Sequence, residues 1–163
     1  MKRIRNIKLF VLLVTLTELI IILRIDHVVY RGVYYTSFFV PILVLQIVLT
    51  FGYLNANTRK FFGKAALIIM FAIVPIVFYF YTPNFTFHQA KQLVAQEIDE
   101  GAVIVEQTDR YRDNVPIYTE EKRIFLSDRN YHFEVITKDE EKLNFLVHPD
   151  TGEVIKMNQA YWP

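Results

Sequence analysis

The chain of 163 residues is 53% hydrophobic and 15% aromatic, carries a formal charge of +1 and contains no cysteine, which excludes a disulfide framework, a zinc–thiolate centre and a thiol nucleophile. The near-neutral total conceals two materials: residues 1–82 have nine Lys/Arg against Glu18 and Asp26, a net +7, whereas residues 83–163 have nine Lys/Arg against fifteen Asp/Glu, a net −6. The acidic second half lacks the basic footprint that binding to nucleic acid requires.

In chain order, three apolar stretches, at about 7–25, 33–54 and 65–81, approach the ~20 residues that a helix needs to cross a bilayer. The sequence therefore predicts a three-helix membrane bundle over residues 1–82, with lipid as its surroundings. The third stretch is short but carries no charge. Pro41 and Pro75 fall inside spans two and three, where a membrane helix tolerates them, with a kink as the expected consequence. Orientation follows from the basic residues: Lys2, Arg3, Arg5 and Lys8 precede span one, and Arg59, Lys60 and Lys64 separate spans two and three. Short loops rich in Lys and Arg stay in the cytoplasm. The N-terminus is thus expected inside, and the domain at 83–163 outside, on a multi-pass cell-membrane protein. Tyr30, Tyr34, Tyr35, Tyr79 and Tyr81 then gather at the outer interface, and Phe61 and Phe62 at the inner one. A cleaved signal peptide is the competing reading of span one, but Arg24-Ile25-Asp26-His27 follows the apolar run instead of a small-x-small cleavage pattern.

Glu18 lies near the middle of span one, where an ionised carboxylate costs several kcal/mol and is often functional. A relay or a contact with another membrane subunit is one reading; the other is a carboxyl that is protonated or hydrogen-bonded to Gln46 or Thr15 inside the bundle. No second charge lies deep in any span to extend a translocation path. Glu18 and Gln46 are therefore the candidate intramembrane contact.

Beyond Pro83 the sequence turns polar. Thr86-Phe87-His88-Gln89 has capping-box spacing, and Phe87, Ala90, Val94 and Ile98 recur every three or four residues, predicting an amphipathic helix over 87–100 with Gly101 as its left-handed stop. The period then changes to two. Strands are predicted at 102–107 and 123–127, with 109–116 as a polar loop. The clearest hairpin has Tyr131, Phe133 and Val135 alternating with His132 and Glu134, a turn at Lys138-Asp139-Glu140-Glu141, and Leu143, Phe145 and Val147 resuming the alternation. His148-Pro149-Asp150-Thr151-Gly152 supplies a second turn before a strand at 153–157. One helix across an antiparallel sheet, a small α+β domain, is the economical arrangement.

The stretch 87–157 resembles a PepSY domain, on the helix running into Gly101, on Tyr131-His132-Phe133-Glu134-Val135, and on Val147-His148-Pro149-Asp150-Thr151-Gly152-Glu153-Val154. The family often has an acidic residue where His148 stands. The resemblance implies a noncatalytic module of secreted-protease propeptides and bacterial envelope proteins, for which protease regulation has been proposed, and it brings no catalytic residues. The residues themselves offer little chemistry. His27, His88, His132 and His148 show no close ligand spacing, though His132 and His148 could approach on neighbouring strands. Glu120-Glu121 and Asp139-Glu140-Glu141 read as solvated turn charge before they read as acid/base pairs. Asn84-Phe85-Thr86 matches a glycosylation acceptor, which is without meaning in a bacterial protein. No phosphate loop or nucleophile elbow is present. The expectation is a non-enzymatic binding module without cofactor or metal, engaging a protein partner such as an envelope protease or cell-wall enzyme. The alternative is an accessory subunit of a membrane complex that assembles through Glu18.

Overall fold

The computed structural model describes residues 2–34, 36–55, 61–105, 112–116, 129–159 and 161. The chain divides into two compact units, residues 1–24 with 36–82, and residues 25–35 with 83–163. The second unit thus includes a segment that the sequence assigned to the membrane half.

The first unit contains helices α1 (Lys2–Ile25), α2 (Phe39–Asn55) and α3 (Phe61–Phe80). Apolar residues surround α1 and α2 on nearly every side, and many face outward, including Leu9, Phe10, Ile20, Val44 and Val48. A helix that is apolar all round needs an apolar surrounding. Two helical stretches, Ile4–Tyr30 and Thr36–Asn55, are long and apolar enough to cross a membrane; the apolar stretch Ile68–Phe80 is shorter. The expectation of three such stretches is therefore met in two, although α3 as a whole runs for 20 residues. Span two also starts later than the sequence suggested, because a 3-10 turn, Thr36–Phe38, precedes α2 and places Pro41 in its first turn. Proline is harmless there, since the first helical N–H groups have no intrahelical partner. Pro75, in contrast, lies inside α3. Packing of α2 on α3 includes an edge-to-face pair, Phe39 with Phe78, at 5.9 Å.

The second unit is α+β. Helix α4 (Phe87–Glu97) lies against an antiparallel sheet of β1 (Val103–Val105), β2 (Asn114–Pro116), β3 (Arg129–Ile136), β4 (Lys142–Val147) and β5 (Val154–Met157). The order is β1-β3-β4-β5, and β2 joins the other half of the β3 edge that β1 occupies. The capping box forms as the sequence requires: the Gln89 N–H donates to the Thr86 hydroxyl, and the Gln89 side chain accepts from the Thr86 N–H. The hairpin register pairs Tyr131 with Val147, Phe133 with Phe145 and Val135 with Leu143. These residues share one face, and Ala90 and Val94 of α4 close over it.

Two local expectations are corrected. Helix α4 stops at Glu97, so Gly101 (φ +93°) serves the turn into β1 and is not the helix stop. Residues 114–116 are strand, not loop; pairing of Asn114 with Tyr131 outweighs their polar composition, and Pro116 is tolerated because β2 is an edge strand. Of the tyrosines expected at the outer interface, Tyr30 and Tyr34 are buried in the second unit and Tyr79 is exposed. The expected strand at 123–127, the Glu120-Glu121 pair, Arg59, Lys60 and Tyr35 lie outside the described residues, as do the side chains of Phe61, Phe62 and Lys64.

The segment 25–35 joins this unit through specific bonds. A π-helical turn, Asp26–Tyr30, ends at Arg31 in the left-handed region, with the Arg31 N–H donating to the Asp26 carbonyl. The Asp26 side chain accepts from the Tyr34 N–H at 3.1 Å. Val33, 1% exposed, enters the core beside Ala90 and Tyr131. The Tyr131 hydroxyl donates to the Phe85 carbonyl at 2.8 Å. Burial pushes the phenols of Tyr131 and Tyr34 well above the ordinary value. Because the folded-state value is raised, this stabilisation is complete below the unfolded value of about 10 and is lost as the pH rises beyond it. Denaturant melts of the sheet unit, within the full chain in micelles, should therefore weaken above a pH of about 10. Tyr131→Phe should flatten that slope while costing about 1 kcal/mol at neutral pH.

Candidate functional site

Two places gather polar groups against apolar surroundings. The first is inside the helical unit, where α1 brings Thr15 and Glu18 to α2. The Gln46 side chain donates to the Glu18 carboxyl at 2.8 Å and to the Thr15 hydroxyl at 3.1 Å. Gln46 and Thr15 are buried, and Glu18 is half-buried. Thr50, one turn along α2, turns its hydroxyl back to the Gln46 carbonyl at 2.7 Å. The structure thus joins both residues that the sequence singled out, through an i, i+3 spacing on α1 facing one amide on α2. Among the described residues, the amide oxygen of Gln46 has no hydrogen-bond partner. Near the opposite end of these helices, the Lys8 ammonium bonds Asn55 at 2.8 Å and lies 5.2 Å from the centre of the Phe51 ring. Such interhelical hydrogen bonds are worth about 1–2 kcal/mol at most. Gln46→Leu should accordingly lower the stability of the helical unit by about 1–2 kcal/mol in detergent-titrated unfolding, whereas Glu18→Gln, which keeps an acceptor oxygen, should change it by less than about 0.5 kcal/mol.

The second place is the sheet unit, where cavities open among the described residues, two of them beside α4. One, of about 100 Å3, opens between β1 and β2, with Arg31, Lys91, Asp113 and His132 around Phe87 and Phe133. Its groups are engaged with one another. Arg31 pairs with Asp113 at 3.3 Å and lies 5.1 Å from the Phe87 ring centre, and Phe87 stacks on Phe133 at 5.0 Å. Asn114 donates to the Arg31 carbonyl and accepts from Arg129 at 2.7 Å. Composition could not reveal this network, because Arg31 reaches partners more than eighty positions away.

The second cavity, of about 200 Å3, lies at the C-terminal end of α4, floored by Ile98, Leu143, Phe145 and Val154 and bordered by Glu97 and Asp99. It adjoins β5, the last strand of the sheet, which pairs with β4 alone among the described strands. Ile155 on β5 is 43% exposed.

The histidines are placed separately. The two ring nitrogens of His132 face the Arg112 carbonyl at 3.0 Å and the Asn144 side-chain oxygen at 3.1 Å. His148 Nδ1 accepts the N–H groups of Asp150 and Thr151 at 3.2 and 3.3 Å, organising the 148–152 turn. His88 stands exposed on α4, 3.4 Å from Gln92. Among the described residues, no group of three or more His, Asp or Glu side chains could hold a metal ion. Asp139, Glu140 and Glu141 are exposed in the β3–β4 turn. Asn84 donates to the Asp150 carbonyl at 3.0 Å. Comparisons with family models, with curated proteins and with solved structures find no match to this chain.

Proposed function

We propose that the protein is a membrane-tethered binding module, with α1, α2 and α3 as a three-pass anchor and the sheet unit as a PepSY-like domain outside the cell, where it engages a bacterial envelope protease or cell-wall enzyme. The observation that carries this reading is the place of segment 25–35. Val33 lies in the same core as Ala90 and Tyr131, and Asn114 holds the Arg31 carbonyl. The segment after α1 and the domain after α3 must then share one side of the membrane. That requires α2 and α3 to leave and return as a pair, which favours three crossings even though α3 has the shortest apolar stretch. The basic residues before α1 and between α2 and α3 set the orientation.

The binding role is supported by the edge of the sheet. A strand paired on one side only presents unused backbone groups, and strand addition is a common mode of peptide recognition. The PepSY likeness gains from His148, whose ring nitrogen accepts the turn N–H groups that an acidic side chain would accept at that position. The likeness to this family rests on the sequence motifs within residues 87–157. Photo-crosslinking tests the role: benzoylphenylalanine in place of Ile155, in living cells, should give one discrete adduct with an envelope protein, while the same probe at Val40 on α2 should not give that adduct. Absence of any protein adduct from several positions along β5 would remove the basis for the proposal.

A second reading, assembly into a larger membrane complex, draws on Glu18 being only half-buried. Loss of a co-purifying membrane subunit in Glu18→Gln, with the sheet unit intact, would favour it.

A further inference from the structure

We infer that β5 and the neighbouring cavity together recognise an extended segment in which one aliphatic side chain is flanked, two residues away, by basic side chains. This rests on the binding-module reading and specifies its ligand. Side chains of paired strands point to the same face at opposed positions. The register places Val154 opposite Val147 and Lys156 opposite Phe145, so Val154 and Lys156 lie on the helix-covered face, at the cavity. A segment added along the outer edge of β5 would present every second side chain on that face. Its central side chain meets an apolar floor of Ile98, Leu143, Phe145 and Val154.

The charge preference follows from the rim. Glu97 ends α4 and Asp99 follows it; both are exposed, and neither has an ion-pair partner among the described residues. Lys156 is the one cation among the described lining residues. It offsets one of the two acids, and the −6 of residues 83–163 makes the wider field negative. Basic groups at the two flanking same-face positions are therefore favoured over acidic ones. On the opposite face, exposed Ile155 favours apolar residues at the alternate positions. A mixed apolar and basic strand satisfies both faces, and backbone bonding to the edge supplies the common attachment.

The test uses the full chain in lipid nanodiscs and a fluorescent peptide, Thr-Arg-Val-Leu-Val-Arg-Thr, whose symmetry presents the same face in either strand direction. It should bind at least about tenfold more tightly than the counterpart with Glu replacing both Arg. N-methylation of alternate backbone nitrogens on the pairing side should abolish binding. The double variant Glu97→Lys with Asp99→Lys should invert the preference, and both positions are exposed, so the fold is retained. Equal binding of the two peptides, or an unchanged preference in the double variant, overturns the inference. So does no binding by any peptide alongside disulfide-linked dimers of Ile155→Cys, which would assign the edge to a second copy of this chain. Adducts from the Ile155 photo-probe with no basic preference would leave the binding-module reading intact and remove only the ligand chemistry.

Discussion

Replacing Phe133 with alanine is expected to destabilise the sheet unit by about 3–5 kcal/mol. Its ring is 2% exposed, stacks on Phe87 at 5.0 Å and sits opposite Phe145 in the central hairpin. Truncation removes an aromatic from the centre of the core, and the neighbours cannot collapse freely because β3 and β4 are held by six paired positions. A domain has a total stability of about 5–15 kcal/mol, so the loss is a large fraction of it. Hydrogen exchange on the full chain in micelles reads the effect directly: β3 and β4 amides should lose protection while α1 and α2 keep theirs. A change of less than about 1 kcal/mol would mean that the ring is not a core element.

The second large effect concerns Gly152, whose φ of +72° lies in the left-handed region. An added Cβ would stand 2.7 Å from one carbon of the Phe85 ring and 2.9 Å from another. Phe85 has little room to retreat, because its N–H donates to the Pro149 carbonyl at 2.9 Å and its own carbonyl accepts from Tyr131. Strain and overlap together put Gly152→Ala at about 2–4 kcal/mol. Gly101→Ala provides the contrast. There the Cβ would meet only the end of the Lys138 side chain, which is exposed and can swing away, leaving about 1 kcal/mol of backbone strain. Thermal melts of the sheet unit should rank the two variants in that order, and the reverse order would contradict the packing described around Phe85.

What the sequence revealed and what it concealed divide along the range of the contacts involved. The α4 start was legible because Thr86 and Gln89 act on their own neighbours, and the β3–β4 hairpin because alternation and the polar turn are local. The contact of Gln46 with Glu18 and Thr15 was foreseeable, since few polar groups in the apolar helices could partner one another. The segment 25–35 was not. As a sequence it is a short loop with mixed charge, and Val33 and Tyr34 blend into the apolar run that follows. Only the folded sheet unit gives Val33 a core to enter and Asn114 a carbonyl to hold. The same holds for residues 114–116, whose polar composition hid a strand that β3 pairs from a distance. The cavity beside β5 was equally hidden, because its floor combines Ile98, just past α4, with β4 and β5, while Glu97 and Asp99 at the end of that helix form its rim.

In the topology proposed above, the segment after α1 and the domain after α3 lie together outside the membrane, with the α2–α3 connection inside. The cysteine-free background permits single cysteines at His27, Asn55 and Asp139, labelled on intact cells by a maleimide that cannot cross the membrane. Labelling is expected at His27 and Asp139, with Asn55 reacting only after permeabilisation. Labelling of Asn55 in intact cells, or opposite behaviour of His27 and Asp139, would contradict it.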